Sequence, residues 1–190
     1  MPLGASRFGL LGGVVDLGKL ELIETQTVSG VASADFTSIQ ESTYNVHFLT
    51  INNLTTVNDN VWIRVKFYES GVLETASVYQ YAQQVGTASG TFYEAKNTSS
   101  GSIQFGSGAN IGNATNESGA NYCYFYNLGD SSKYSFMTYM SNAMNNTTAF
   151  NMNFGSGVMT QASTVDGIQL ILSGGNIDTA DFSLYGIAES

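Results

Sequence analysis

The chain has one proline, one cysteine and one histidine, and six lysines and arginines against fifteen acids. Each scarcity excludes something. A single cysteine, Cys123, allows no intrachain disulfide, so the redox compartment stays open. One cysteine and one histidine also fall short of the tetrahedral ligand set that zinc takes. A Ser–His–Asp hydrolase would have to use His47 as its base, and no Gly-x-Ser-x-Gly elbow occurs. His47 sits in a strand pattern and Cys123 among tyrosines, where both residue types are expected to be structural. No glycine-rich phosphate loop with its lysine is present.

The shortage of positive charge excludes partners as well as reactions. A net charge of −9 disfavours nucleic acid, which is bound by clustered lysine and arginine replacing counterions, and it disfavours an anionic membrane surface. No apolar run reaches the roughly 18 residues of a membrane span, so no membrane insertion is expected. The first residues lack the basic start and unbroken apolar core of a secretory signal. Oxygen ligands cluster at Asn58, Asp59 and Asn60 and again at Asp178 and Asp181, but turn-forming Asx residues explain both groups. No metal and no cofactor are expected. The acids are too scattered along the chain to nominate a glycosidase pair. Six Asn-x-Ser/Thr sequons, at Asn53, Asn97, Asn113, Asn116, Asn145 and Asn146, are what chance supplies in a chain so rich in these residues. The sequence is not expected to be an enzyme.

What is present points to sheets. Tyrosine and phenylalanine number 11 each, both strand formers, and no long Ala/Leu/Glu/Lys tract is available for a helix. With proline scarce, 21 glycines and abundant Asn, Ser and Thr supply the turns. Residues 60–68 (NVWIRVKFY) alternate, with Val61, Ile63, Val65 and Phe67 on one face and Trp62, Arg64, Lys66 and Tyr68 on the other. Residues 43–52 (TYNVHFLTIN) carry apolar groups on both faces, which reads as a central strand covered on both sides. Asn53, Asn58 and Asp59 lie between, so an antiparallel hairpin joins the two runs most economically. A second hairpin is expected from residues 121–128 and 133–140 around the turn GDSS. Further strands are expected at 19–28, around Phe36, and at 77–82, 101–105, 147–154, 158–163, 167–172 and 181–187. Phe150, Met152 and Phe154 share one face of their strand, and Asn151 and Asn153 the other. Ten to twelve short strands at regular spacing give an all-β fold, an antiparallel β-sandwich or jelly-roll-like single domain at 19–190. The stretch 106–121 reads as a long loop of the kind that carries function or an interface.

Residues 1–18 (MPLGASRFGLLGGVVDLG) differ from the rest. Four glycines interrupt Leu3, Phe8, Leu10, Leu11, Val14 and Val15, too many for a stable helix. The apolar content is too high for a solvated linker. This is expected to be an extended N-terminal arm, packed on its own domain or on a neighbouring subunit, with both chain ends tied down.

Three stretches carry a resemblance: MPLGASRFGLLGG, DFTSIQESTYNVHFLTINNLTTVNDNVWIRVKF and LSGGNIDTADFSLYGIAES. The Asp-Phe-Thr-Ser-Ile start at 35–39, Tyr44, the Asn-Asn-Leu turn at 52–54 and the Leu-Tyr-Gly-Ile ending at 184–187 resemble small virion structural proteins of marine tailed bacteriophages. About half of the chain takes part, and no catalytic residue is among the motifs. The resemblance implies a β-sandwich on the virion exterior, either a capsid decoration (cement) protein or part of a tail fibre or spike, in threefold assembly. The implied partners are other copies, in a homotrimer, and the major capsid protein or other virion proteins. Leu3, Arg7, Phe8, Leu10 and Leu11 of the arm are the expected assembly contacts, joined by Trp62, Arg64 and Lys66, because Trp, Tyr and Arg are enriched where interfaces bind most tightly. An alternative is a receptor-binding head for a host surface glycan, with Tyr122, Tyr124, Tyr126, Tyr134 and Tyr139 as a sugar-stacking face.

Overall fold

The computed structural model describes residues 19–108 and 110–188. The arm, with Leu3, Arg7, Phe8, Leu10 and Leu11, and the expectation that both ends are tied down lie outside the described residues. Thirteen strands and no helix are found among them: β1 (Leu20–Val31), β2 (Ser33–Phe36), β3 (Val46–Thr56), β4 (Ile63–Glu69), β5 (Val72–Leu73), β6 (Tyr79–Thr87), β7 (Phe92–Ser100), β8 (Ile103–Phe105), β9 (Gly119–Tyr126), β10 (Ser135–Met144), β11 (Phe150–Met159), β12 (Gly167–Leu172) and β13 (Ile177–Ile187). They form an eight-stranded sheet ordered β1-β13-β3-β9-β10-β11-β6-β7 and a five-stranded sheet ordered β2-β12-β4-β5, with β8 also on β4. Every pairing is antiparallel, and the two sheets pack as a β-sandwich.

The alternation in β4 sets the smaller sheet. Val61, Ile63, Val65 and Phe67 are buried, as period two requires. They meet Leu49, Ile51, Cys123, Phe125, Phe182 and Leu184 of the larger sheet in one core. Rings lock the layers together: Phe67 lies edge-on to Phe125 at 5.9 Å, and Phe36 edge-on to Phe182 at 6.2 Å. Such contacts add to the roughly 1.5–3 kcal/mol that full burial of each large side chain contributes. The β4–β5 turn explains itself locally. Ser70 and Gly71 both have positive φ, 52° and 74°, as a two-residue hairpin turn of the primed type demands, and the Gly71 N–H donates to Asp166 Oδ2 at 2.7 Å.

The structure corrects the sequence reading in four places. Residues 43–52 and 60–68 are not a hairpin. β3 pairs with β13 and β9 in the larger sheet, while β4 pairs with β12 in the smaller one, so residues 57–62 form an arch across the sandwich. Asn53, at φ 52°, and a register shift between Ile51 and Leu54 bend β3 towards that arch. β3 is central in its sheet but is covered on one side only: His47, Leu49 and Ile51 face the core, and Phe48 faces outward. Between the strands expected at 77–82 and 101–105, where the sequence reading has no strand, β6 and β7 form a hairpin. β7 (FYEAKNTSS) is an edge strand exposed along nearly its whole length, so no core face imprints alternation on its sequence. Finally, 147–154 and 158–163 are parts of one strand region: β11 runs unbroken to Met159. The loop before β9 is well packed, with Ile111 bridged to Val61 and Ser107 O accepting from Gln83 Nε2 at 2.6 Å.

Candidate functional site: the outer face of the larger sheet

β11 is turned inside out. Asn151 and Asn153 are buried against the sandwich interior, whereas Phe150 and Phe154 are 43% and 52% exposed. Because successive side chains alternate, a one-residue slip in register would have buried the phenylalanines and freed the asparagines. The observed register does the opposite at a cost. Asn153 Oδ1 and Nδ2 and Asn151 Oδ1 are buried without a protein partner, and each such orphan typically costs about 1–3 kcal/mol.

The pairing of neighbouring strands carries this apolar exterior across the sheet. Phe154 lies opposite Met140 of β10, which lies opposite Tyr122 of β9, which lies opposite Thr50 of β3. The next row runs from Thr138 through Tyr124 and Phe48 to Tyr185 of β13 and Leu22 of β1. A third pairs Val158 with Phe136 and Tyr126 with Val46. The rings form a connected cluster. Phe48 is 4.7 Å from Tyr124 between centroids, 6.1 Å from Tyr122 and 6.2 Å from Tyr185, and Tyr124 stacks on Tyr126 at 6.5 Å. Their hydroxyls find local partners: Tyr122 with Met140 Sδ at 3.5 Å and Tyr126 with Thr138 Oγ1 at 3.2 Å. Towards β7 the residues become small. Ala82 and Ser156 floor a shallow trough of about 400 Å³ walled by Phe136, Val158, Gln80 and Lys96, which continues past Phe154 and Glu94. Lys96 Nζ lies 2.6 Å from Glu94 Oε1, so the one cation of the trough is neutralised in place.

The expected sites are distributed differently. Trp62, Arg64 and Lys66 do share a half-buried face, but it is the outer face of the smaller sheet, on the far side of the sandwich. There the Arg64 guanidinium lies 5.8 Å from the centre of the Trp62 ring, a cation–π contact, and Trp62 Nε1–H donates to Gln104 Oε1. Beside them the Tyr68 hydroxyl donates to Asp35 Oδ1 at 2.5 Å, and this anion pushes the Tyr68 hydroxyl up to about 12. Of the five tyrosines expected to form a stacking face, Tyr122, Tyr124 and Tyr126 share the outer face of the larger sheet, and Tyr134 lies exposed just before β10. Tyr139 belongs to the interior. It is buried on the opposite face of β10, packs on Phe105 at 4.7 Å and donates to Gln83 Oε1, and burial pushes the pKa of its hydroxyl well above that of free tyrosine. Phe48, Phe136, Phe154, Tyr185 and Leu22 are the outer-face residues that sequence reasoning missed. The alternation of Phe and Asn in β11 was the available signal, but it does not say which set points inward.

His47, Cys123, Asp178 and Asp181 have structural roles. His47 is fully buried, its Nε2 2.8 Å from Ile39 O and its ring edge-on to Tyr44, and burial lowers its affinity for a proton. Burial likewise pushes the Cys123 thiol far up, away from its nucleophilic form. Asp181 accepts from Thr27 and Asn53, and Asp178 from Thr55, so side-chain hydrogen bonds occupy the expected oxygen cluster. Among the described residues no group of three or more His, Cys, Asp or Glu is placed to hold a metal ion, and no helix is long and apolar enough to cross a membrane. Compared with protein-family models, curated proteins and solved structures, the chain matches none.

Proposed function

We propose that this chain is a non-enzymatic structural protein of a bacteriophage virion, carried on the particle exterior as a capsid decoration protein and working through contacts with other copies, as a homotrimer, and with capsid proteins. The observation that carries the contact role is the inside-out register of β11. A sheet that buries asparagines and exposes phenylalanines across several strands has an apolar exterior far beyond scattered surface residues, and such patches are covered in use. The virion location rests on the resemblance at 1–13, 35–67 and 172–190, and the acid excess suits an exterior surface better than one facing DNA. A reconstruction of a particle carrying this protein tests the reading. Density for the sandwich on the capsomers, with the larger sheet against a neighbour, is expected; density on the tail alone, or an outer face open to solvent, overturns it.

One observation favours a second reading, a receptor-binding head of a tail appendage. The trough beside Phe136 joins aromatic walls to Gln80, Lys96 and Asn97, a combination that suits stacking and hydrogen bonding to a host surface glycan. Binding of the isolated protein on a glycan array, lost on Phe136→Ala, would select it.

A further inference from the structure

We propose that the outer face of the larger sheet is the seat of residues 3–15 of a neighbouring copy, so that exchanged arms hold the oligomer together. The inference rests on reading this face as a contact surface and is independent of where on a virion the protein sits.

Three observations lead to it. First, the apolar surface runs to the root of the arm. Leu22, 59% exposed, continues the row of Tyr185, Phe48 and Tyr124 onto the edge strand β1, and Leu20, 52% exposed and opposite Ile187, extends the surface to the strand's first residue. Second, the arm has the composition of an occupant. Leu3, Phe8, Leu10, Leu11, Val14 and Val15 offer apolar groups, and the glycines among them let a backbone lie close against a field of rings. Arg7 and Asp16 are its only charges, so almost nothing in it needs to stay in water.

Third, direction and length favour a neighbour over the arm's own sheet. The Lys19 carbonyl still accepts from the Ala188 N–H at 3.0 Å, so the strand direction of β1 is held to its first residue. Continued in that direction, an arm would leave along the strand, past the end of the sheet, and not over its outer face. Eighteen residues can reach about 60 Å when extended. The face from β1 to β11 is only about 24 Å across at the usual strand spacing. A span of that length reaches a second subunit with residues to spare. Each subunit then gives one arm and receives one, and closed symmetry satisfies every face without open-ended growth.

The test uses the full chain and its methionines. Met140 and Met152 lie on the outer face, whereas Met137 and Met159 are buried in the core and serve as controls. A spin label is attached to Phe8→Cys; buried Cys123 does not compete for the reagent. This labelled chain, without isotope, is mixed with an equal amount of wild-type chain bearing methyl-labelled methionine. Loss of the Met140 and Met152 methyl signals, well beyond that of Met137 and Met159, is expected in the mixture. Loss confined to a sample in which label and isotope share one chain would place the arm on its own sheet and overturn the proposal. No selective loss in either sample would overturn it too. As a second measurement, deletion of residues 1–17 should reduce the oligomer to monomer while the far-ultraviolet spectrum and melting temperature stay within about 3 °C. An oligomer that survives the deletion contradicts the exchange.

Discussion

At the scale of single residues the interior is more informative than the surface, because it holds groups that a sandwich core does not need. His47 has no protein partner at Nδ1, and burial depresses its protonation in the fold. The unfolded chain therefore binds a proton there more readily, near the ordinary histidine value of about 6.5. Its stabilising effect is complete above that pH and is lost as pH falls through the lower folded value. Chemical denaturation between pH 7.5 and 5 should show stability falling, with His47→Leu flattening the slope while lowering stability by about 1–2 kcal/mol for the orphaned Ile39 carbonyl. An unchanged slope would remove His47 from the account. Asn153 gives the reverse sign. With both side-chain polar atoms buried and unpartnered, Asn153→Leu should stabilise the domain by about 1 kcal/mol, raising Tm by some 2–4 °C in a chain of this size. A Tm that falls would show that those atoms are satisfied in solution.

At the scale of elements, strands were legible where a core face imprints alternation and illegible where none does. β4 was read correctly because Val61 to Phe67 alternate against the core, and the β9–β10 hairpin because its turn residues stand out. β7 was invisible for the reason that it is exposed, its order coming from the ladder with β6. Pairing was not legible either. Residues 43–68 hold two strands and a turn, and nothing in that window says that β13 and β12, more than a hundred residues away, supply the partners. The face of β11 fell between these cases: the alternation was visible, but its polarity is set by neighbours that a local pattern cannot name. One element-level prediction concerns the last strand. A methyl group on Gly186 would come within 2.3 Å of the Tyr44 ring, which is itself fixed by its hydroxyl donating to Glu21 Oε2 at 2.6 Å. Gly186→Ala should cost about 1–3 kcal/mol through this overpacking. Gly186→Ala combined with Tyr44→Leu should recover part of the loss, and equal Tm values for the wild type and the single variant would contradict the contact.

At the scale of the whole molecule, two faces compete to explain assembly, and they differ in their response to salt. The outer face of the larger sheet is apolar and aromatic, with its one lysine paired to Glu94. The face of the smaller sheet carries Arg64 and Lys66, which form no ion pair among the described residues and would meet a neighbour as cations seeking acids. Subunits of net charge −9 repel one another, and the Debye length shrinks from about 10 Å at 0.1 M salt to about 3 Å at 1 M. Association through apolar surface should therefore strengthen as salt relieves that repulsion, more so with an excluded salt such as sulfate. Association through Arg64 and Lys66 should weaken as salt screens the attraction. Light scattering at several protein concentrations in about 0.03 and about 0.3 M sodium sulfate, ionic strengths of roughly 0.1 and 1 M, separates the two. The expected result is a mass moving towards that of a trimer at the higher salt. Phe136→Glu with Phe154→Glu should hold the protein monomeric in both buffers without lowering Tm, since neither ring is part of the core. Arg64→Glu should leave the mass unchanged. A mass that falls with salt, or that responds to Arg64→Glu and not to the phenylalanine pair, would move the assembly surface to the smaller sheet.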